Sequence, residues 1–145
     1  MPGVIRECTA ADLPALHVLY QQLQPEDTTT LEDTRRGFTE MNAFPGCRVF
    51  VVEFESRLLG SFTLYILPNM TRNGRKATIL ENIIVDKAFR GQGLGRMMLE
   101  YAREEALAAG CYKLSLTTNA KRTDAHAFYR RCGMVHHGVS FRYEL

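Results

Sequence analysis

The sequence predicts an α/β fold, a mixed β-sheet with helices on both faces. Three observations carry that reading. Residues 48–54 and 58–67 are dense in Val, Phe and Leu and are separated by Glu55-Ser56-Arg57, the pattern of an antiparallel hairpin. Ile83, Ile84 and Val85 form a β-branched run with the character of a buried strand. That run crosses a polar loop into Gly91, Gly93 and Gly95 and continues as a helix, whose apolar stripe is Leu94, Met98, Tyr101, Ala102 and Leu107.

Taken in order, residues 4–7 are a short first strand. Thr9 is a helix N-cap, with Asp12 three residues on in place of the usual Glu. The helix shows Leu13, Leu16, Val18-Leu19-Tyr20 and Leu23 at roughly a 3.6 period and ends near Pro25. Residues 31–41 form a second helix capped by Thr30. Glu26, Asp27, Glu32 and Asp33 make this region acidic, either as a solvated helix start that suits the dipole or as a lid that attracts an amine. After the hairpin, Arg72, Arg75 and Lys76 make residues 68–75 and the following strand start basic, either as a solvated loop or as a phosphate contact. Residues 76–85 are the next strand. Gly110 sits at a left-handed C-cap, residues 111–116 are a strand, and residues 125–132 a helix capped by Thr123 or Asp124. Residues 134–145 supply a terminal hairpin around His137-Gly138, so the order is β-α-α-β-β-β-α-β-α-β-β.

Composition bounds the function. The chain has 145 residues, 46% hydrophobic and 23% charged, which suits one globular domain over residues 1–145 with a sizeable core. A net charge of +2 is too small to argue for nucleic acid or membrane. No apolar run approaches the ~20 residues of a membrane span, and the N-terminus has no signal-peptide pattern. The expected setting is therefore cytoplasmic, with no nucleic-acid or membrane partner. Cys8, Cys47, Cys111 and Cys132 form no C-x-x-C pair and have no His at metal-like spacing. They are read as reduced thiols rather than nucleophiles, and no metal is expected.

A strand feeding a glycine-rich loop and a helix N-terminus is an anion site. The first helical N–H groups have no intrahelical partner, glycine allows close backbone approach, and the helix dipole favours negative charge. Arg90 and Arg96 add full positive charges beside the turn, which points to a pyrophosphate. No Gly-Lys-Ser/Thr follows, which excludes a P-loop. The third glycine comes one residue too early for a dinucleotide fingerprint, and the next strand ends in Thr117-Thr118 without a carboxylate. A plain tight turn before a helix is the bland alternative.

The stretch V-D-K-A-F-R-G-Q-G-L-G resembles the acetyl-CoA-binding motif of the GNAT superfamily of N-acetyltransferases. The later A-H-A-F-Y-R-R-C-G-M resembles that family's last conserved helix, with Tyr129 at its usual tyrosine. The resemblance implies a central mixed sheet in which the strand at Ile83, Ile84 and Val85 splays from its neighbour after Lys113, and the free backbone of that strand would hold the pantetheine arm and polarise the thioester carbonyl. It implies a pyrophosphate held by Arg90, Gly91, Gln92, Gly93, Leu94, Gly95 and Arg96, with Asn119 and His126 also toward the cofactor. Many members carry an Asn seven residues before the tyrosine; here that position is Arg122, and Asn119 lies three earlier. T-T-N-A-K-R-T-D-A-H-A-F-Y is similar to aminoalkylphosphonate N-acetyltransferases, and I-L-E-N-I-I-V with G-C-Y-K-L to glucosamine-6-phosphate N-acetyltransferases. The implied reaction moves an acetyl group from acetyl-CoA to a small primary amine, which these relatives suggest carries a phosphate or phosphonate. Members are often homodimers.

Acetyl transfer needs a polarised carbonyl, a neutral amine and a stabilised leaving thiolate, but no covalent enzyme intermediate. Tyr129 is the candidate acid, since a phenol is neutral at pH 7; an amphipathic core tyrosine is its other reading. Glu81 is the candidate base. On strict alternation it shares a face with Ile83 and leaves Asn82 opposite. A structural hydrogen bond is its alternative role. His126, His136 and His137 are further candidate bases. A protein acetyltransferase and a catalytically silent acyl-CoA sensor are the competing functions.

Overall fold

A computed structural model describes residues 3–145. The chain forms two compact units, one ending at Ser115 and one running Leu116–Leu145. In the first, β1 (Val4–Glu7) leads to the Thr9 cap, where the Thr9 N–H donates to Asp12 Oδ2 at 2.8 Å. The chain opens there as a single 3-10 turn over Ala10–Asp12 and becomes α1 (Leu13–Gln21), with Pro14 in its first turn. Arg6 fixes this corner through Asp12 at 2.7 and 2.8 Å and Glu53 at 2.6 Å. Its guanidinium holds the Asp12 carboxyl down at about 2.

α2 (Leu31–Ala43) starts on a reciprocal cap. The Asp33 N–H donates to Thr30 Oγ1 at 3.1 Å, and the Thr30 N–H donates to Asp33 Oδ2 at 2.9 Å. The Thr30 backbone, its hydroxyl and Arg36 together hold the Asp33 carboxyl at about 2. That carboxylate serves the helix start, as the dipole argument expects.

The sheet comprises β1, β2 (Cys47–Phe54), β3 (Arg57–Leu67), β4 (Lys76–Val85) and β5 (Cys111–Ser115) in that spatial order. The first three pairings are antiparallel, and β4–β5 is parallel. α3 (Leu94–Ala108) makes the crossover that a parallel pair requires. Leu13, Leu16 and Leu19 of α1 pack with Val49 and Ile84, and Phe38 and Met41 of α2 cover the same cluster. On the next residue of β2, Phe50 stacks on Phe62 at 5.1 Å, and Tyr101 of α3 meets both rings edge-on at 5.3 and 6.3 Å. Val49 and Phe50 point to opposite faces, so α1 and α2 cover one face and α3 the other.

Some expectations move. The buried stripe of α3 is Leu94, Met98, Leu99, Ala102 and Ala106, while Leu107 is 60% exposed. The stripe thus follows Ala106 in the last turn rather than Leu107. In the second unit, α4 (Thr123–Arg131) starts at Thr123 itself, with Arg122 at the N-cap position and no side-chain cap. Residues 134–145 form no strand, where the sequence predicts a hairpin. Val135, Val139, Phe141 and Tyr143 are all largely exposed, and two strands with no covered face have little independent stability.

Candidate active site

β4 builds the site. It pairs with β3 from Leu67↔Ala77 to Gly60↔Val85, but with β5 only from Lys76↔Cys111 to Ile79↔Ser115. From Leu80 to Val85 its β5-side edge has no ladder partner within the unit. That edge presents N–H and C=O groups able to pair with another extended amide chain. Ile83, Ile84 and Val85 lie on this stretch.

A β-bulge sits at its start. Thr63 faces Glu81 and Ser61 faces Ile84, so β4 fits one extra residue into the interval, and Asn82 takes a φ of 51°. Ser61 and Thr63 share a face, and therefore Glu81 and Ile84 do too. Ile83 points the other way. The alternation that puts Glu81 with Ile83 is overturned by this inserted residue. Asn82 also turns to the α1 and α2 face, where it lines a cleft with His17, Tyr20 and Thr34. Burial raises the Tyr20 phenol above its ordinary value. His17 Nδ1 lies 3.2 Å from Thr34 Oγ1, joining the two helices across the cleft.

Asp86 locks the turn that follows. Its N–H donates to Leu59 O at 2.8 Å, and its Oδ1 accepts from the Ala88 N–H at 3.0 Å. Gln22, one residue past α1, donates to Asp86 Oδ1 at 3.5 Å and accepts the Lys87 N–H at 2.9 Å. Arg57 reaches Asp86 Oδ2 at 3.4 Å. Burial pushes this carboxyl up, but the Ala88 N–H, Gln22 and Arg57 bring it below the usual carboxylate value.

Arg90 Nε donates back to Val85 O at 3.2 Å. Gly91 and Gly93 then take φ of 75° and 86°, which glycine adopts at no steric cost. Nothing lies within 4 Å of a Cβ built at either, so the space before the turn is open. Gly93 is the N-cap of α3 and supplies no side-chain cap, so the N–H groups of Leu94, Gly95 and Arg96 have no intrahelical acceptor. Arg90, Gln92 and Arg96 are exposed around them. An open, uncapped helix N-terminus continuous with a free strand edge fits a pyrophosphate joined to a polyamide arm.

The predicted residues of the second unit have their own geometry. His126 Nε2 lies 2.9 Å from the Asn119 carbonyl, so Nε2 carries a proton and only Nδ1 remains as a base. Asn119 Oδ1 accepts the Lys121 N–H at 2.9 Å. Tyr129 is half-buried beside the Phe128 ring at 5.4 Å. Burial raises its phenol, with Arg122 acting the other way, so it is protonated at neutral pH. His136 and His137 lie in the segment without a strand.

The sequence matches the acetyltransferase (GNAT) family over residues 13–134. The chain belongs to that family. GNAT relatives include a glucosamine 6-phosphate N-acetyltransferase of Trypanosoma brucei brucei, 34% identical over 68% of this chain and 65% of that protein. A probable glucosamine 6-phosphate N-acetyltransferase 2 of Oryza sativa is 38% identical over 59% of this chain and 49% of its own length. The chain thus spans less than two thirds of either. An aminoalkylphosphonate N-acetyltransferase of Salmonella typhimurium is 29% identical over 89% and 82%. Among solved structures, a putative acetyltransferase from Agrobacterium tumefaciens superposes with a TM-score of 0.93 at 36% identity, covering 98% of this chain and 99% of that one. Gln22, Arg57 and Tyr20 stand at the candidate site without any flag in the sequence alone, because no spacing announces the contacts of Gln22 and Arg57 with Asp86 across 64 and 29 residues, or the turn of Tyr20 into the cleft. Asn82 escapes as a site residue because a bulge has no composition of its own.

Proposed function

We propose that this GNAT enzyme transfers an acetyl group from acetyl-CoA directly to the primary amine of a small molecule, both substrates being bound together. The observation that carries this is the free β4 edge from Leu80 to Val85 running into an open, uncapped helix N-terminus. Bound acetyl-CoA supplies the activated acetyl thioester. Arg90, the backbone of Gly91 to Gly95 with Gln92 and Leu94, and Arg96 hold its pyrophosphate. Ile83, Ile84 and Val85 hold its amide arm, and an N–H of that edge orients the carbonyl.

Glu81, exposed on the cleft face of the bulge, takes the proton of the incoming amine directly or through one water. For Tyr129, in the second unit, the reading keeps the role that the family resemblance implies, proton donor to the departing sulfur. The protein is a cytoplasmic homodimer in this reading and needs no metal. The names of the relatives support amines, and put phosphate- and phosphonate-bearing amines among the acceptors to assay.

The test is acetyl-CoA-dependent release of free thiol across aminoalkylphosphonates, amino sugars and their phosphates, alkyl and aryl amines and lysine peptides. Saturable turnover with a small amine supports the reading. Turnover on peptides alone, or tight acetyl-CoA binding with no turnover, replaces it with a protein acetyltransferase or a sensor.

A further inference from the structure

Given acetyl transfer beside the β4 bulge, the cleft between α1, α2 and the sheet selects the amine. Its volume is about 210 Å³, below the roughly 300–1,000 Å³ of pockets that hold drug-sized ligands. Its floor is apolar, formed by Leu13, Leu16 and Val49, all buried, with Phe38 and Met41 half-buried above them. Asp27 is the sole carboxylate of the lining; its Oδ1 accepts the Thr29 N–H at 3.0 Å and the Thr29 hydroxyl at 2.6 Å. Those two donors favour its charged form. Glu81 places a second carboxylate on the same face, next to Asn82.

Among the described residues no Lys or Arg lines this cleft. Of the cations that the sequence offers for a phosphate, Arg72 and Arg75 lie elsewhere, over the Tyr112 ring at 5.5 and 5.9 Å, where Lys113 joins them at 5.5 Å, at the end of β4 remote from the glycine turn. Lys76 is the first residue of β4 at that same end. A phosphate recruits charge-assisted donors, Arg above all. On this floor it would lose water without gaining them, and would face the Asp27 carboxylate. An ammonium on a hydrocarbon body meets the reverse: apolar walls for the body and negative charge for the head.

We propose that the acceptor is a small primary amine on an apolar body, bearing no phosphate, phosphonate or carboxylate, seated against Phe38 and Met41 with its nitrogen toward Asn82 and Glu81. This rests on the acetyltransferase reading above and differs from the acceptors named for the relatives.

The experiment compares kcat/KM for hexylamine and 2-phenylethylamine with that for 2-aminoethylphosphonate and glucosamine 6-phosphate, in thiol release by the intact protein. The apolar amines should lead by about a hundredfold, the scale at which an apolar pocket discriminates through fit. Met41→Lys should raise KM for hexylamine about tenfold more than KM for acetyl-CoA; equal KM changes would overturn the seating. Faster turnover of the phosphonate or sugar phosphate overturns the acceptor class and leaves acetyl transfer standing. No acetylation of any of the four, with acetyl-CoA still bound in calorimetry, removes both.

Discussion

Gln22 and Asp86 meet across the molecule, side-chain amide to carboxylate at 3.5 Å, while the other end of the same amide accepts the Lys87 N–H at 2.9 Å. Gln22, one residue past α1, is thereby tied to the junction from which the glycine turn departs.

Gln22→Leu removes that tie without emptying the core. It should raise the Kd for acetyl-CoA about fivefold, the scale of one net hydrogen bond of ~1 kcal/mol. Titration calorimetry checks this, with circular dichroism to show an unchanged fold. An unaltered Kd would make Gln22 a surface residue with no positioning role.

Asp86→Ala should cost more, about 1–3 kcal/mol of unfolding free energy, because the Ala88 N–H, Gln22 and Arg57 lose their common acceptor. The folded Asp86 carboxyl lies below its unfolded value. Its contribution is therefore present above the unfolded pKa and is lost as pH falls through the folded one. Asp12 behaves alike: its folded value of about 2 places its loss between about pH 4 and 2. Arg6 is about one-third exposed (35%), so the Asp12 contribution is on the order of 1 kcal/mol. Urea midpoints measured from pH 6 to 2 should fall less steeply for Asp12→Asn than for the native chain.

Gly93→Ala sets strain against space. At φ 86° an L side chain costs roughly 1–2 kcal/mol, although no atom lies within 4 Å of the added Cβ. The fold should survive with a lowered Tm, while acetyl-CoA affinity should fall about tenfold as the methyl enters the space in which we propose the pyrophosphate sits. A lowered Tm with native affinity would separate the turn from cofactor binding.

Tyr129→Phe should lower kcat by about a hundredfold, the low end of general-acid effects, and spare acetyl-CoA affinity. Glu81→Gln should lower kcat on a similar scale. Steady-state kinetics paired with titration calorimetry of each variant checks both. Native turnover in either variant would strip that residue of its proton-transfer role.

Phe62→Ala addresses the scaffold. Phe62 is fully buried and stacked on Phe50 beneath Tyr101. Its truncation should cost about 3–5 kcal/mol, read as a shift in the urea midpoint.

Much of this protein was legible in the chain. The β-branched run at Ile83, Ile84 and Val85, the positive-φ turn at Gly91 and Gly93, and the Thr30 cap of α2 each depend on residues a few positions apart. Local sterics and hydrogen bonding decide them, so the sequence carries them openly. What depends on contacts between distant segments was not legible. The bulge that puts Glu81 and Asn82 on one face follows from register against Ser61 and Thr63, not from any residue in β4 itself. The exchange of Leu107 for Ala106 on the buried side of α3 was decided by what the helix packs against. The absence of strands in residues 134–145 has the same origin, since a strand pattern forms a strand only where a partner edge and a covered face exist. The sequence by itself determined most of the elements and the glycine turn, because those are local. Tertiary structure alone decided which side chains share the cleft between α1, α2 and the sheet, because that is a matter of long-range packing.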